Sequence, residues 1–216
     1  MAKRTRRSSI YVLAGTNGAG KSSLLGAMLL KKDVQPFNPD EAARRLVAAN
    51  PGITQEQANS AAWLEGKRLL ERAIVERLDF AFETTLGGQT IKTLLEQAAA
   101  SGIEVRIWYV GLTNVALHIA RVRSRVARGG HDIPEAKIRE RYDRSRLNLI
   151  ESLPKLTELL VYDNSEERDP ESGAAPRPKL LLQMKAGKIT RSCALDEAPG
   201  WVKPILAAAL KLSGVG

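Results

Sequence analysis

The stretch Ile10 to Leu25, IYVLAGTNGAGKSSLL, constrains this chain more than any other. Within it, Gly15-Thr16-Asn17-Gly18-Ala19-Gly20-Lys21-Ser22 has the spacing G-x-x-x-x-G-K-[ST], set between an apolar run (10–13) and a helix-like run (23–30). A strand, a glycine-rich turn and a helix in that order cradle the phosphates of a nucleoside triphosphate. Glycines at 15, 18 and 20 let the backbone curl so that successive N–H groups point inward, and the positive end of the next helix adds to their field. Asn17 and Ala19 belong to the same curl, and Ser23 follows it. Lys21 supplies a mobile cation for the β- and γ-phosphates, and the Ser22 hydroxyl completes a Mg²⁺ shell otherwise made of water and phosphate oxygens. An ordinary turn would explain neither the Lys-Ser pair nor three glycines in six residues.

With 216 residues, 44% of them hydrophobic, the chain has core material for one large domain, read here as 10–216 behind a basic arm, 1–9. The net charge of +9 is unevenly placed. Met1 to Ile10 holds four basic residues and no acid, and Arg121 to Arg146 holds nine basic against four acidic, which together equal the whole excess. The arm reads as solvated chain. The single cysteine, Cys193, excludes an intrachain disulfide and suits a reducing compartment. No apolar run approaches a membrane span, and the basic N-terminus leads into a strand rather than a signal-peptide core, so a cytoplasmic location is expected.

Beyond the cradle, short β-type runs alternate with longer helical ones. That pattern predicts an α/β fold of the P-loop NTPase type, a mainly parallel sheet flanked by helices, with ligands at the carboxyl ends of the strands. The helix from Lys21 is expected to end near Lys31-Lys32, and Val34 to Phe37 reads as a short strand delivering Asn38-Pro39-Asp40. Asp40 then opens a helix that Asn50-Pro51-Gly52 stops. A long helix is expected from Thr54 to about Leu78, a strand at 79–83, a helix at 90–100 stopped by Gly102, and a central strand at 103–112. In that strand Glu104 and Arg106 alternate with Val105 and Ile107, so one face is expected to be polar. Asn114 begins a helix to about Arg128, and the break at 129–134 puts Pro134 at the first position of another, to about Ile150. Residues 159–163 read as the last strand of the main sheet. A C-terminal hairpin around Ala186-Gly187 and a closing helix at 201–212 complete the chain.

Phosphoryl transfer needs a group to orient the nucleophile, a metal, and cations around the migrating phosphoryl. Asp40, just past a strand at the cradle's end of the sheet, either accepts the proton of a substrate hydroxyl or caps its helix, for which Asp is a preferred residue. Glu83, followed by Thr84 and Thr85, binds substrate hydroxyls, or holds Mg²⁺ through water, or forms a strand-end salt bridge. Arg121, Arg125 and Arg128 share one side of a helix, and Arg139, Arg141, Arg144 and Arg146 follow the Gly129-Gly130 hinge. The region 121–150 thus reads as an arginine-rich lid that closes on phosphates, or as a solvated face with acidic partners. His131 in the hinge either orients a phosphate or serves the turn. Asn164, past residues 159–163, is a candidate for adenine recognition.

The combination GTNGAGKSS, FNPDEAARRL, FETTLGG and RVRSRVARGGHDIP…IRERYDRSRLNL resembles the zeta-toxin family of P-loop kinases, in particular its compact zeta-like bacterial branch, from about Tyr11 to Asn164. The resemblance implies ATP as donor and a small-molecule hydroxyl as acceptor, UDP-N-acetylglucosamine or a related nucleotide sugar. It also implies a toxin held by an antitoxin. Residue by residue it implies Lys21 and Ser22 on ATP-Mg²⁺, Asp40 as general base, Glu83 and Thr85 on the acceptor, and Arg121, Arg125 and Arg128 on phosphates.

Other classes compete. Leu86-Gly87-Gly88-Gln89 looks like the tail of an ABC-type signature, but no strand ending in Asp-Glu follows it, and the Asn-Lys-x-Asp motif of a regulatory GTPase is absent. A nucleic-acid-binding NTPase or RNA-end kinase is the second reading, motivated by the basic blocks. An aromatic content of 5% offers few stacking platforms and counts against it. A protein that acts chiefly by binding a partner is the third.

Overall fold

A computed structural model of the chain describes residues 7–24, 35–130, 132–166 and 178–214, with backbone alone at Ser23 and Leu24. Most of the basic arm, the expected end of the first helix, Val34, His131 and the segment 167–177 lie outside the described residues. The elements are β1 (Ser9–Ala14), α1 (described over Lys21–Leu24), α2 (Pro39–Ala49), α3 (Gln55–Glu76), β2 (Phe80–Thr84), α4 (Gln89–Ala100) and β3 (Glu104–Gly111). They continue with α5 (Val115–Val126), α6 (Glu135–Ser152), a 3₁₀ turn (Leu153–Lys155), β4 (Glu158–Asp163), β5 (Lys179–Lys185), β6 (Lys188–Ser192) and α7 (Lys203–Ser213).

One six-stranded sheet runs in the order β2-β1-β3-β4-β5-β6. Its first four strands are parallel, and β5 and β6 add antiparallel. The fold class is therefore the α/β, P-loop type expected. Two sequence expectations change. Strand β4 is not the last of the sheet, because the C-terminal hairpin pairs with it and extends it. Residues 35–37 form no strand of their own: Phe37 makes a single parallel bridge to Phe82 at the β2 edge, through Phe37 N–H to the Ala81 carbonyl at 2.8 Å and Glu83 N–H to the Phe37 carbonyl at 2.9 Å. Pro36 beside it has no N–H to extend the ladder.

Alternation along the strands sorts side chains between two faces. Ile10, Val12, Val105, Ile107, Tyr109, Leu159 and Val161 face the main core with Leu95 of α4, Leu149 of α6 and Ile205 of α7. The opposite face holds a smaller cluster of Leu13, Ala81, Trp108, Val110 and Leu160, into which Ala19 drops from the glycine-rich loop. The same face is polar at its start, as the alternation predicts. There Arg106 pairs with Glu104 and Glu158, and its guanidinium lies 5.9 Å from the Tyr11 ring centroid. Because β1 and β3 are adjacent and parallel, all the loops at their carboxyl ends open on one edge, which is where the site forms.

The helix starts follow local chemistry. Thr54 closes a capping box with Gln57 at the head of α3, and Asn114 accepts from Leu117 N–H at the head of α5. At α2 the cap is Asn38, whose Oδ1 accepts from the N–H groups of Asp40 at 2.9 Å and Glu41 at 3.2 Å, with Pro39 as the first helical residue. Asp40 therefore sits inside the first turn and does not open the helix. Pro134 likewise precedes α6 as its cap residue.

Candidate active site

After Ala14 the chain must cross the backbone of β3, and only a residue without Cβ fits. At Gly15 (φ +141°) a Cβ would stand 2.2 Å from the Val110 carbonyl oxygen, and at Gly18 (φ +81°) 2.7 Å from that of His118. Positive φ and backbone contact together explain why these positions are glycine. The resulting curl is pinned from several sides. His118 Nδ1 meets the Asn17 carbonyl at 2.8 Å, Arg141 Nη1 donates to Asn17 Oδ1 at 2.8 Å, and Asn164 Nδ2 donates to the Ala19 carbonyl at 2.8 Å.

Lys21 and Ser22 leave this curl at the start of α1. Lys21 Nζ donates to the Gly15 carbonyl at 2.8 Å, lying along the loop. Burial pushes its ammonium below the ordinary lysine range, against the pull of the Glu83 and Asp40 carboxylates. Ser22 Oγ donates to Glu83 Oε2 at 2.9 Å and lies 3.4 Å from Asn38 Nδ2. Glu83 is the penultimate residue of β2, beside Leu13 of β1, and burial raises the pKa of its carboxyl, opposed by Lys21 and the Ser22 hydroxyl. A buried carboxylate and a buried lysine thus face each other across the glycine-rich loop, each shifted toward its neutral form by burial.

These groups line a cavity of ≈ 730 Å³. Asn17, Gly18, Gly20, Lys21 and Ser22 form one wall, Asp40, Glu83 and Thr85 another, and Arg121 and Arg125 of α5 with Arg128 of the turn after it a third. Since Asn38 provides the cap, the Asp40 carboxylate is left to project into the cavity, 3.8 Å from Arg125 Nη1. The structure divides the arginine block. Arg141 and Arg144 join Arg121, Arg125 and Arg128 at the cavity. Arg123 and Arg139 pair with Glu135 instead, and Arg146 packs over the Tyr142 ring at 4.1 Å and pairs with Asp143.

Three sequence candidates are not among the residues that line the cavity. Ala19 buries its side chain in the core, so only its backbone faces the loop. Asn164 is buried, is not among the residues lining the cavity, and spends its amide on the loop carbonyl. Gly15 is likewise absent from the lining, since Lys21 covers its carbonyl. Conversely, sequence reasoning missed Asn38, Trp63, Lys67 and Lys137 at the cavity and the buried His118 beneath it. The signal for Asn38 was its place before Pro39, a pairing of cap and first helical residue. No local pattern marked Trp63 and Lys67, which lie mid-helix on α3.

Among the described residues no group of three or more His, Cys, Asp or Glu is gathered to hold a metal. The Ser22 hydroxyl and the Glu83 carboxylate suit a hard, oxygen-ligated cation that keeps water and phosphate oxygens in its shell, which fits Mg²⁺. Among the described residues no helix is long and apolar enough to cross a membrane.

A family model described as Zeta toxin matches residues 1–169. A protein of Haemophilus influenzae (strain ATCC 51907 / DSM 11121 / KW20 / Rd), described only as uncharacterized, is 32% identical over 130 residues, 59% of this chain and 88% of that one. Two solved structures share the fold. The AvrRxo1-ORF1:-ORF2 crystal structure with ATP aligns with a TM-score of 0.65 at 13% identity over 95% of this chain, which spans 64% of the length of that one. The structure from the PezAT chromosomal toxin–antitoxin system of Streptococcus pneumoniae aligns with a TM-score of 0.58 at 13% identity, over 98% of this chain and 87% of that one.

Proposed function

The chain belongs to the zeta-toxin family, and on that premise we propose that it transfers the γ-phosphoryl of ATP to a hydroxyl of a small molecule, with Mg²⁺ as the metal. The acceptor in this reading is a nucleotide sugar of the UDP-N-acetylglucosamine kind. The observation that carries it is the meeting of Lys21, Ser22, Asp40, Glu83, Arg121, Arg125 and Arg128 around one cavity, from segments far apart in the chain.

The chemistry divides among these residues. The loop N–H groups and Lys21 hold the β- and γ-phosphates of ATP. Glu83 and Thr85 orient the acceptor, and Asp40 takes the proton from its hydroxyl. That oxygen attacks the γ-phosphorus in line, the bond to the bridging oxygen breaks, and ADP leaves with the electron pair. Mg²⁺, when bound beside Ser22, supplies positive charge to the phosphate oxygens. Arg121, Arg125 and Arg128 balance charge as it shifts toward the leaving oxygen, in a site where water is displaced.

The PezAT structure comes from a toxin–antitoxin system. A protein antitoxin that restrains the activity is therefore part of the same proposal.

Incubation of the purified protein with ATP-Mg²⁺ and a metabolite panel that includes UDP-N-acetylglucosamine, read by mass spectrometry, tests the reading. A gain of one phosphate on a sugar nucleotide is the expected result. Consumption of ATP with phosphate appearing only on an RNA 5′-hydroxyl would replace this reading with the RNA-end kinase.

A further inference from the structure

Helix α6 reaches the site twice along one face. Arg141, Ser145 and Asn148 stand at spacings of four and three, so their side chains line up. At one end Arg141 Nη1 donates to Asn17 Oδ1 in the phosphate loop. At the other, two buried side chains grip consecutive carbonyls of the loop after β2. Ser145 Oγ donates to the Thr85 carbonyl at 2.5 Å, and Asn148 Nδ2 donates to the Leu86 carbonyl at 2.8 Å. Asn148 Oδ1 in turn accepts from Gln89 Nε2 at 3.0 Å, which fixes its orientation.

The gripped loop is strained. Leu86 is fully buried at φ +55°, a conformation that a branched side chain avoids and that persists only where surroundings impose it. The Thr85 and Leu86 carbonyls are what α6 holds, and Thr85 and Gly87 line the cavity on either side of Leu86. Arg141 also packs on this loop, since a Cβ at Gly87 would lie 3.1 Å from Arg141 Cγ.

We propose that this face of α6 couples the phosphate loop to the Thr84–Gly88 loop. Ser145 and Asn148 act as positioning residues that hold Leu86 in its left-handed conformation and so set Thr85 in the cavity. The proposal rests on the kinase reading in one respect: the phosphates of a bound nucleotide are the added anchor for Arg141. With Arg141 anchored, α6 loses freedom, and the two carbonyls it holds become harder to release. A site that holds its acceptor side more firmly when the donor is present limits transfer of the phosphoryl to water.

Tyr109 separates positioning from simple support. Ser145 has one hydroxyl proton and gives it to Thr85, so Tyr109 is the donor in its 3.0 Å contact with Ser145 Oγ. Tyr109→Phe removes that donor and leaves the grip on Thr85 intact.

The test is hydrogen exchange by mass spectrometry on the full chain with and without a non-hydrolysable ATP analogue and Mg²⁺. In the wild type the analogue is expected to slow exchange over 84–89 by at least about fivefold. Ser145→Ala, and Asn148→Ala, which removes the donor to Leu86 together with the Gln89 contact, should bind the analogue within about threefold of the wild type yet lose this slowing. Tyr109→Phe should keep it. Analogue binding with unchanged exchange over 84–89 in the wild type would overturn the coupling and leave the kinase reading standing, as would full slowing in both α6 variants. No binding of the analogue by the wild type would overturn the kinase reading itself.

Discussion

At the scale of single residues, the site is a set of side chains whose neighbours have removed their other uses. Asp40 illustrates this: with Asn38 accepting the helix N–H groups, its carboxylate has Arg125 beside it and the cavity before it. Asp40→Asn is therefore expected to leave ATP affinity unchanged and to cut transfer by about 10²–10⁴, the range for loss of a general base. Parallel loss of ATP affinity, measured by calorimetry, would remove the base assignment. Lys21→Ala should cost about 10²–10³ in turnover, as for other fixed donors at developing charge, when ATP consumption is followed under saturating substrate. His118 is a residue-scale feature that pattern alone does not show. Its Nδ1 holds the loop carbonyl, its Nε2 has no hydrogen-bond partner among the described residues, and burial lowers its pKa to about 4. The unfolded chain takes up this proton near the ordinary value of 6.5 while the folded one resists it. Stability is thus fully present above about pH 6.5 and falls as pH drops toward about 4, by on the order of 3 kcal/mol if no other group offsets it. Denaturant melts of His118→Gln and wild type across that window should converge at low pH.

At the scale of elements, capping and packing decide which ends meet. Asn38→Ala removes the α2 cap and the contact with Ser22, and is expected to cost about 1 kcal/mol, or about 2–4 °C in Tm for a chain of this size. A larger fall in activity than in stability would show that the cap also aims Asp40. Several element boundaries were legible because their chemistry is local. Thr54 with Gln57, and Asn114 before its apolar run, announce helix starts without reference to anything distant. Asn38 and Asp40 were ambiguous because both are good caps two residues apart, and Pro39 as a first helical residue was the local signal that favoured Asn38. The C-terminal hairpin was visible as a hairpin, but its docking on β4 was not, since antiparallel addition to a parallel sheet depends on which edge is left open.

At the scale of the whole molecule, charge placement governs approach. Arg121, Arg125, Arg128, Arg141, Arg144, Lys137, Lys67 and Lys21 outnumber the carboxylates of Asp40, Glu83 and Glu140 at the cavity, so anions are drawn toward it. The association rate of ATP is expected to fall by about an order of magnitude between ~0.01 M and ~0.15 M salt, measured by stopped flow, because the screening length contracts from ~30 Å to ~8 Å. An unchanged rate would assign these arginines to transition-state contacts alone.

What the sequence determined by itself was the local build of the glycine-rich turn that carries Lys21 and Ser22. The glycine spacing, Lys21 and Ser22 lie within eight residues, and the strand and helix around them follow from local periodicity. Tertiary structure decided the rest. Which arginines face the cavity, that Asn164 braces the loop, and that α6 ties Asn17 to Thr85 depend on contacts between residues more than fifty positions apart, such as Asn17 with Arg141 at a separation of 124. Such contacts leave no periodic trace, because each needs one side chain at one place, and that place exists only once the sheet has brought the strand ends together.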